Sequence, residues 1–307
     1  MQRQMNALEW LMLAVLSILW GGSFLFNGML VQAWPPLTIV AARVLVAALV
    51  LWGVVLLSGQ TVPKGRQVWL AFLGMGFLNN IIPFTLIVWG QTQIASGLAA
   101  ILNATTPLFG VIVAHWLTTD EKLTANRLAG VLIGILGVAW MIGPSAFAGE
   151  TGAIWGELAV LAAALSYAFA GLFGRRFKRM GLAPIMPAAG QVTASSVLLV
   201  PLAVLHDQPW TLPVPEWQTV AALLGLAILS TAVAYLLFFR ILATAGATNL
   251  MLVTILIPPS AILLAALVLG EQLELRHLFG LLLVAVGLAA IDGRLWRRVR
   301  PMPPSIR

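Results

Sequence analysis

Ten apolar runs, most of about 18 residues or more and separated only by short polar breaks, are what most limits the fold of this chain. A hydrocarbon layer offers no water to backbone N–H and C=O groups, so a run of about 20 residues that crosses it must satisfy them internally, as a helix. The runs are Trp10 to Leu30, Leu37 to Leu57, Val68 to Trp89, Gly97 to Leu117, Arg127 to Ile142, Ala153 to Phe173, Pro184 to Leu205, Trp217 to Leu242, Thr248 to Leu269 and Leu278 to Ile291. They leave only short loops and two short tails in 307 residues. The expectation is an all-α membrane protein of ten transmembrane helices. Only 9% of residues are charged, against roughly 25% in soluble proteins, which excludes a soluble globule.

The net charge of +7 comes from basic residues scattered between runs, without the interleaved aromatics of a nucleic-acid surface, so no nucleic-acid partner is expected. With a cytoplasmic N-terminus, 15 of the 17 Lys and Arg fall on the inner side: Arg3, Lys64, Arg66, Lys122, Arg127, Arg175, Arg176, Lys178, Arg179, Arg240, Arg294, Arg297, Arg298, Arg300 and Arg307. Arg276 alone lies outside, and Arg43 falls within a run. That bias follows the positive-inside rule and puts both termini in the cytoplasm. The chain has no Cys and three separated His, so no disulfide, thiol nucleophile or metal site is expected. His115, His206 and His277 all lie near run ends, where an interfacial role is expected. Phosphate-cradling loops, paired intramembrane carboxylates and a Ser with a local His and Asp are missing from the sequence too; no catalytic residue or cofactor is expected, and the chain is not read as an enzyme.

Glu121, Leu123, Gly130, Gly137 and Gly143 recur 150 residues later as Glu271, Leu273, Gly280, Gly287 and Gly293. Leu13 to Leu16 recurs at Leu158 to Leu161, and Leu73-Gly74 at Leu224-Gly225, at offsets of 145 and 151. The chain therefore divides into a first five-helix repeat, 1–148, and a second, 149–307. Five is odd, so the second half enters the membrane the other way round. Two inverted-topology repeats are the architecture of secondary transporters, whose substrate site lies near the bilayer midplane between the halves.

Trp20-Gly21-Gly22-Ser23-Phe24, Arg43, Pro107 and Gly270-Glu271-Gln272-Leu273 followed by Gly280 and Gly287 resemble the EamA type of the drug/metabolite transporter superfamily. In the first half Asp120 stands where that pattern has Gly before Glu121. The resemblance extends to the YddG branch, which exports aromatic amino acids. It implies a multi-pass protein of the bacterial inner membrane, moving a small molecule such as an amino acid or related metabolite outward.

Pro107 cannot donate to the carbonyl of Asn103, and Pro258 interrupts the ninth run at a matching place, 13 residues before Glu271 where Pro107 lies 14 before Glu121. Matched interruptions point to a cavity, although Ser or Thr hydroxyls can also satisfy such a kink. Asn79 and Asn80 sit mid-run and need a partner helix, water or substrate. Tyr167 and Tyr235, the chain's two Tyr, fall inside runs, and with Trp20 and Trp89 are candidates for an aromatic wall. Arg43 is read either as an anion ligand or as a residue snorkelling outward; the family pattern implies a structural role, and its inverted mate is Gln191. The candidate substrate-binding set is Trp20, Asn79, Asn80, Trp89, Asn103, Pro107, Tyr167, Gln191, Tyr235 and Pro258. Glu121 and Glu271 are read as helix caps, and the glycines of the fifth and tenth runs as close-packing faces, inside a monomer or between two chains of a homodimer.

Amides, freed carbonyls and aromatic rings suit a zwitterionic amino acid with a bulky apolar or aromatic side chain. The alternatives are efflux of cationic drugs or other metabolites, and, outside transport, a membrane receptor or scaffold. A cationic drug calls for an intramembrane acid, and a receptor has no need of inverted symmetry.

Overall fold

The computed structural model describes residues 5–119, 121–147 and 151–292. Arg3, Asp120, Gly293 and the arginines at 294, 297, 298, 300 and 307 lie outside the described residues, as do both termini and the 148/149 boundary. The described chain is helix after helix: α1 (Ala7–Leu30), α2 (Pro36–Leu57), α3 (Arg66–Gly90), α4 (Ser96–Leu117), α5 (Ala125–Phe147), α6 (Thr151–Arg179), α7 (Ile185–His206), α8 (Trp217–Thr244), α9 (Val253–Leu269) and α10 (Leu275–Asp292). A single turn, Ala247–Leu250, precedes α9. Among the described residues, eight helices are long and apolar enough to cross a membrane, and α9 and α10 are shorter apolar helices. The protein is a multi-pass membrane protein.

Local chemistry sets the ends. Asn6 Oδ1 accepts from Glu9 N at 2.8 Å while Glu9 Oε2 accepts from Asn6 N at 2.9 Å, a reciprocal cap that starts α1. Asp207, at the end of α7, accepts from both Thr38 N and Thr38 Oγ1 and so caps α2 from another helix. Helix α6 runs past the expected end at Phe173 to Arg179, because Arg176, Lys178 and Arg179 complement the negative end of its dipole.

The repeat is visible in the packing. Helix α1 lies against α9 as α6 lies against α4; α3 packs on α6 as α8 packs on α1; α3 packs on α7 as α8 packs on α2. The pairs α2 with α7, α4 with α9 and α5 with α10 map onto themselves. Exchanging each helix for the one five places along reproduces this pattern, as two inverted repeats require. The α5 and α10 glycines are consumed within the chain: a Cβ at Gly287 would stand 2.5 Å from the Gly130 carbonyl oxygen, and one at Gly137 2.9 Å from that of Gly280. Gly21 likewise lets α1 approach the α9 backbone, where a Cβ would lie 2.9 Å from Ala261 N.

Two hydrophobic cores result. One is drawn mainly from α2, α3, α7 and α8, the other mainly from α1, α4, α6, α9 and α10. Tyr167 packs against both and marks the seam between them.

Candidate functional site

Hydropathy gives no sign of a π-helical turn, yet α3 carries one over Phe77–Ile81 and α8 another over Gly225–Val233, in matching places of the two halves. Such turns shift the hydrogen-bond ladder by one residue and re-aim side chains, and they recur at functional sites. Hydroxyls take up displaced carbonyls: Ser166 Oγ of α6 donates to Leu78 O at 2.7 Å, and Thr231 Oγ1 to Leu226 O at 2.8 Å.

The α3 turn aims its two amides into a network that joins three helices. Asn79 Nδ2 donates to Gln191 Oε1 at 3.0 Å and to the Tyr235 hydroxyl at 3.1 Å. That hydroxyl donates onward to Asn80 Oδ1 at 3.0 Å, while Asn80 Nδ2 donates to Ser195 Oγ at 3.1 Å. Asn80, Gln191 and Ser195 are buried, and Asn79 is half-buried. Each such bond contributes about 1 kcal/mol net, and leaving one partner unmade costs about 1–3 kcal/mol, so the network fixes its members in place. From the α8 turn, Thr231 Oγ1 accepts from Arg43 Nε at 2.9 Å, and the Arg43 guanidinium lies 3.6 Å from the centroid of the Phe84 ring. Tyr167 and Tyr235 lie within electrostatic reach of the Arg43 guanidinium.

Of the residues expected from sequence, the fold therefore gathers Asn79, Asn80, Gln191 and Tyr235 into one network, while Tyr167 packs at the seam between the two cores. Trp20 lies on α1 with its ring centroid 5.6 Å from that of Phe238 on α8. Trp89, at the far end of α3, is 40% exposed and joins neither.

The two proline places behave differently from the expectation. Helix α4 breaks at Ala104 and Thr105, just before Pro107, but α9 is helical through Pro258 and Pro259, and its interruption comes earlier, at Met251 and Leu252. The carbonyl of Asn103 is not left free, since Thr106 Oγ1 donates to it at 2.8 Å. Asn103 Oδ1 is buried without a hydrogen-bond partner. Thr254, Ile255, Pro258 and Pro259 line an apolar groove of about 300 Å³ with Ala104 of the α4 break and four leucines of α10, and it shares no residue with the polar network. Proline in a helix marks where backbone bonding changes, and neighbouring Thr hydroxyls absorb that change here.

Arg43 as a member of the central cluster, Ser195, Ser166 and Thr231 did not emerge as site residues from the sequence. Ser195 sits one helical turn after Gln191, a spacing that puts both on one face. Arg43 and Thr231 are 188 residues apart, and only the fold relates them. His277, expected at an interface, is buried, with neither ring nitrogen hydrogen-bonded.

At the ends of α4 and α9, Glu271 does cap a helix, but one in the other half. Its Oε1 accepts from Ser96 N at 2.9 Å and its Oε2 from Gly97 N at 3.1 Å, at the start of α4. Gln91 extends the contact, donating to Ser96 Oγ and Phe24 O and accepting from Asn27 Nδ2.

A model of the EamA-like transporter family matches residues 8–143 and again 154–291. The uncharacterized transporter YoaV of Bacillus subtilis is 24% identical over 282 residues, covering 90% of this chain and 94% of its own length. The uncharacterized inner membrane transporter YedA of Escherichia coli K12 is 27% identical over 267 residues, 85% and 83% of the two chains. Protein PecM of Dickeya dadantii is 25% identical over 290 residues, 93% of each. A crystal structure 21% identical in sequence superposes with a TM-score of 0.66 over 93% of this chain and 97% of that one, which is agreement of fold. None of these names carries a substrate, so the aromatic-exporter branch does not follow from them. Two successive family matches that together cover most of the chain do settle the broader question: this protein belongs to the EamA-like transporter family.

Proposed function

We propose that this transporter exports amino acids with large apolar or aromatic side chains, and similar small metabolites, across a bacterial inner membrane by alternating access. Both termini face the cytoplasm, and the repeats 1–148 and 149–307 move against each other around the seam between the two cores. The observation that carries this reading is the largely buried amide and phenol network of Asn79, Asn80, Gln191 and Tyr235, which joins α3, α7 and α8 in a bundle whose two halves pack alike. Such groups can hydrogen-bond a zwitterion, and Tyr167, Trp20 and Phe238 offer aromatic surface to a bulky side chain. Trp89, Asn103, Pro107 and Pro258 stand apart from this site. Residues around the network bring amides, hydroxyls and a guanidinium, a set that favours a zwitterion over a cationic drug. The name of YedA, an inner membrane transporter, supports the location.

Counterflow in proteoliposomes with a panel of radiolabelled amino acids tests the reading. Phenylalanine, tryptophan, leucine and methionine should exchange faster than glycine, serine or lysine. Flux of a nucleobase or sugar with none of the bulky amino acids would overturn it.

A further inference from the structure

A buried guanidinium needs a negative partner, and the described residues do not supply one to Arg43. Arg43 is 6% exposed, seven residues into α2, which puts its Cα about 10 Å from the start of that helix at 1.5 Å per residue. Among the described residues, Thr231 is the one group that accepts a hydrogen bond from it, through Nε, and no carboxylate lies within ion-pair distance. Phe84 covers one face of the guanidinium. With Nε engaged, the two terminal nitrogens have no protein acceptor among the described residues, and such a pair can grip a carboxylate through two parallel hydrogen bonds. An uncompensated charge in such a place costs several kcal/mol, and a ligand that brings the opposite charge recovers it. Asn79, in the polar network, uses its amide nitrogen on Gln191 and Tyr235, and no described group donates to its oxygen, which suits the ammonium of a zwitterion.

We infer that Arg43 is the anchor for the carboxylate of the transported molecule, so that substrates of this protein are organic acids or zwitterions and not amines. This rests on the proposed transport reading and sharpens it: the charged group common to all substrates is the carboxylate, and the side chain is read elsewhere in the seam. A purely structural Arg43 would hold α2 to α8 through Thr231 and would be indifferent to what the substrate carries.

The test compares solutes that differ in one group. In proteoliposome counterflow, wild-type protein is offered phenylalanine and tryptophan, the amines phenethylamine and tryptamine that lack the carboxylate, and 3-phenylpropionate, which lacks the ammonium. The anchor predicts that the amines move slower than the amino acids by about ten-fold or more, the scale of a lost charge-assisted hydrogen bond. Arg43→Gln should lose that discrimination by slowing the amino acids and leaving the amines where they were, and Arg43→Lys should keep part of it. Amines carried as fast as amino acids would overturn the anchor and leave the transport reading intact. Transport of 3-phenylpropionate without the amino acids would uphold the anchor and overturn the amino-acid reading. If Arg43→Gln does not fold, the wild-type comparison decides alone.

Discussion

The loops before α10 and α5 carry the same Glu at positions 150 residues apart, and the two carboxylates do different things. Glu271 takes two backbone N–H groups at the start of α4 and, with Gln91, Ser96 and Asn27, fastens α1, α3, α4 and the α9–α10 loop at one end of the bundle. Glu121 instead pairs with Arg175 at the end of α6, with both side chains roughly two-fifths exposed. Inverted symmetry would have Glu121 meet the start of α9, but that helix begins as a separate turn, Ala247–Leu250, followed by a break. Two halves that are alike in sequence therefore hold unlike states. One end of the molecule is fastened by a half-buried carboxylate cap and the other by a solvent-exposed ion pair, an asymmetry that the proposed alternating access would need from a symmetric scaffold.

Removing the charge at the fastened end should have the largest effect. Glu271→Gln loses charge-assisted bonds to two helix N–H groups, and thermal unfolding in detergent should show a loss of about 2–3 kcal/mol. Tyr235→Phe should come next. It strips the shared hydroxyl from Asn79 and Asn80, costs about 1–3 kcal/mol, and slows exchange from either side of the membrane, because the network belongs to neither end. Thr106→Val, which leaves the Asn103 carbonyl without its hydroxyl, should cost about 1 kcal/mol and is read by the same melt. Glu121→Gln should do least, below about 1 kcal/mol, as for other exposed ion pairs. Equal destabilisation by the two Glu substitutions would remove the contrast between the ends.

Much of the architecture was legible because lipid leaves the chain few choices: an apolar run such as Leu37 to Leu57 can only be a helix there. The repeat was legible because Gly130 and Gly137 must face Gly280 and Gly287 at backbone contact, and few other residues fit. The candidate site was legible in part. Asn79, Asn80, Gln191 and Tyr235 stood out as polar groups inside apolar runs, and polar groups in lipid find one another. The π-helical turns that aim them leave no trace in hydropathy. At Pro107 the sequence shows a missing donor but not that Thr106 turns back to the Asn103 carbonyl. The cap from Glu271 to Ser96 crosses between halves, 175 residues apart, and no local pattern encodes it.

The absence of cysteine makes the two ends directly measurable. Spin-label pairs at the exposed positions Gln93 and Leu275, on the Glu271 end, and Lys122 and Ala243, on the Glu121 end, report each separation by double electron–electron resonance. Without substrate, the Gln93–Leu275 distance should be single and narrow, and the Lys122–Ala243 distance broader. Saturating transported amino acid should lengthen a fraction of the first and shorten a fraction of the second. Both distances moving in the same direction, or neither moving while the reconstituted protein transports, would contradict alternating access between these two ends.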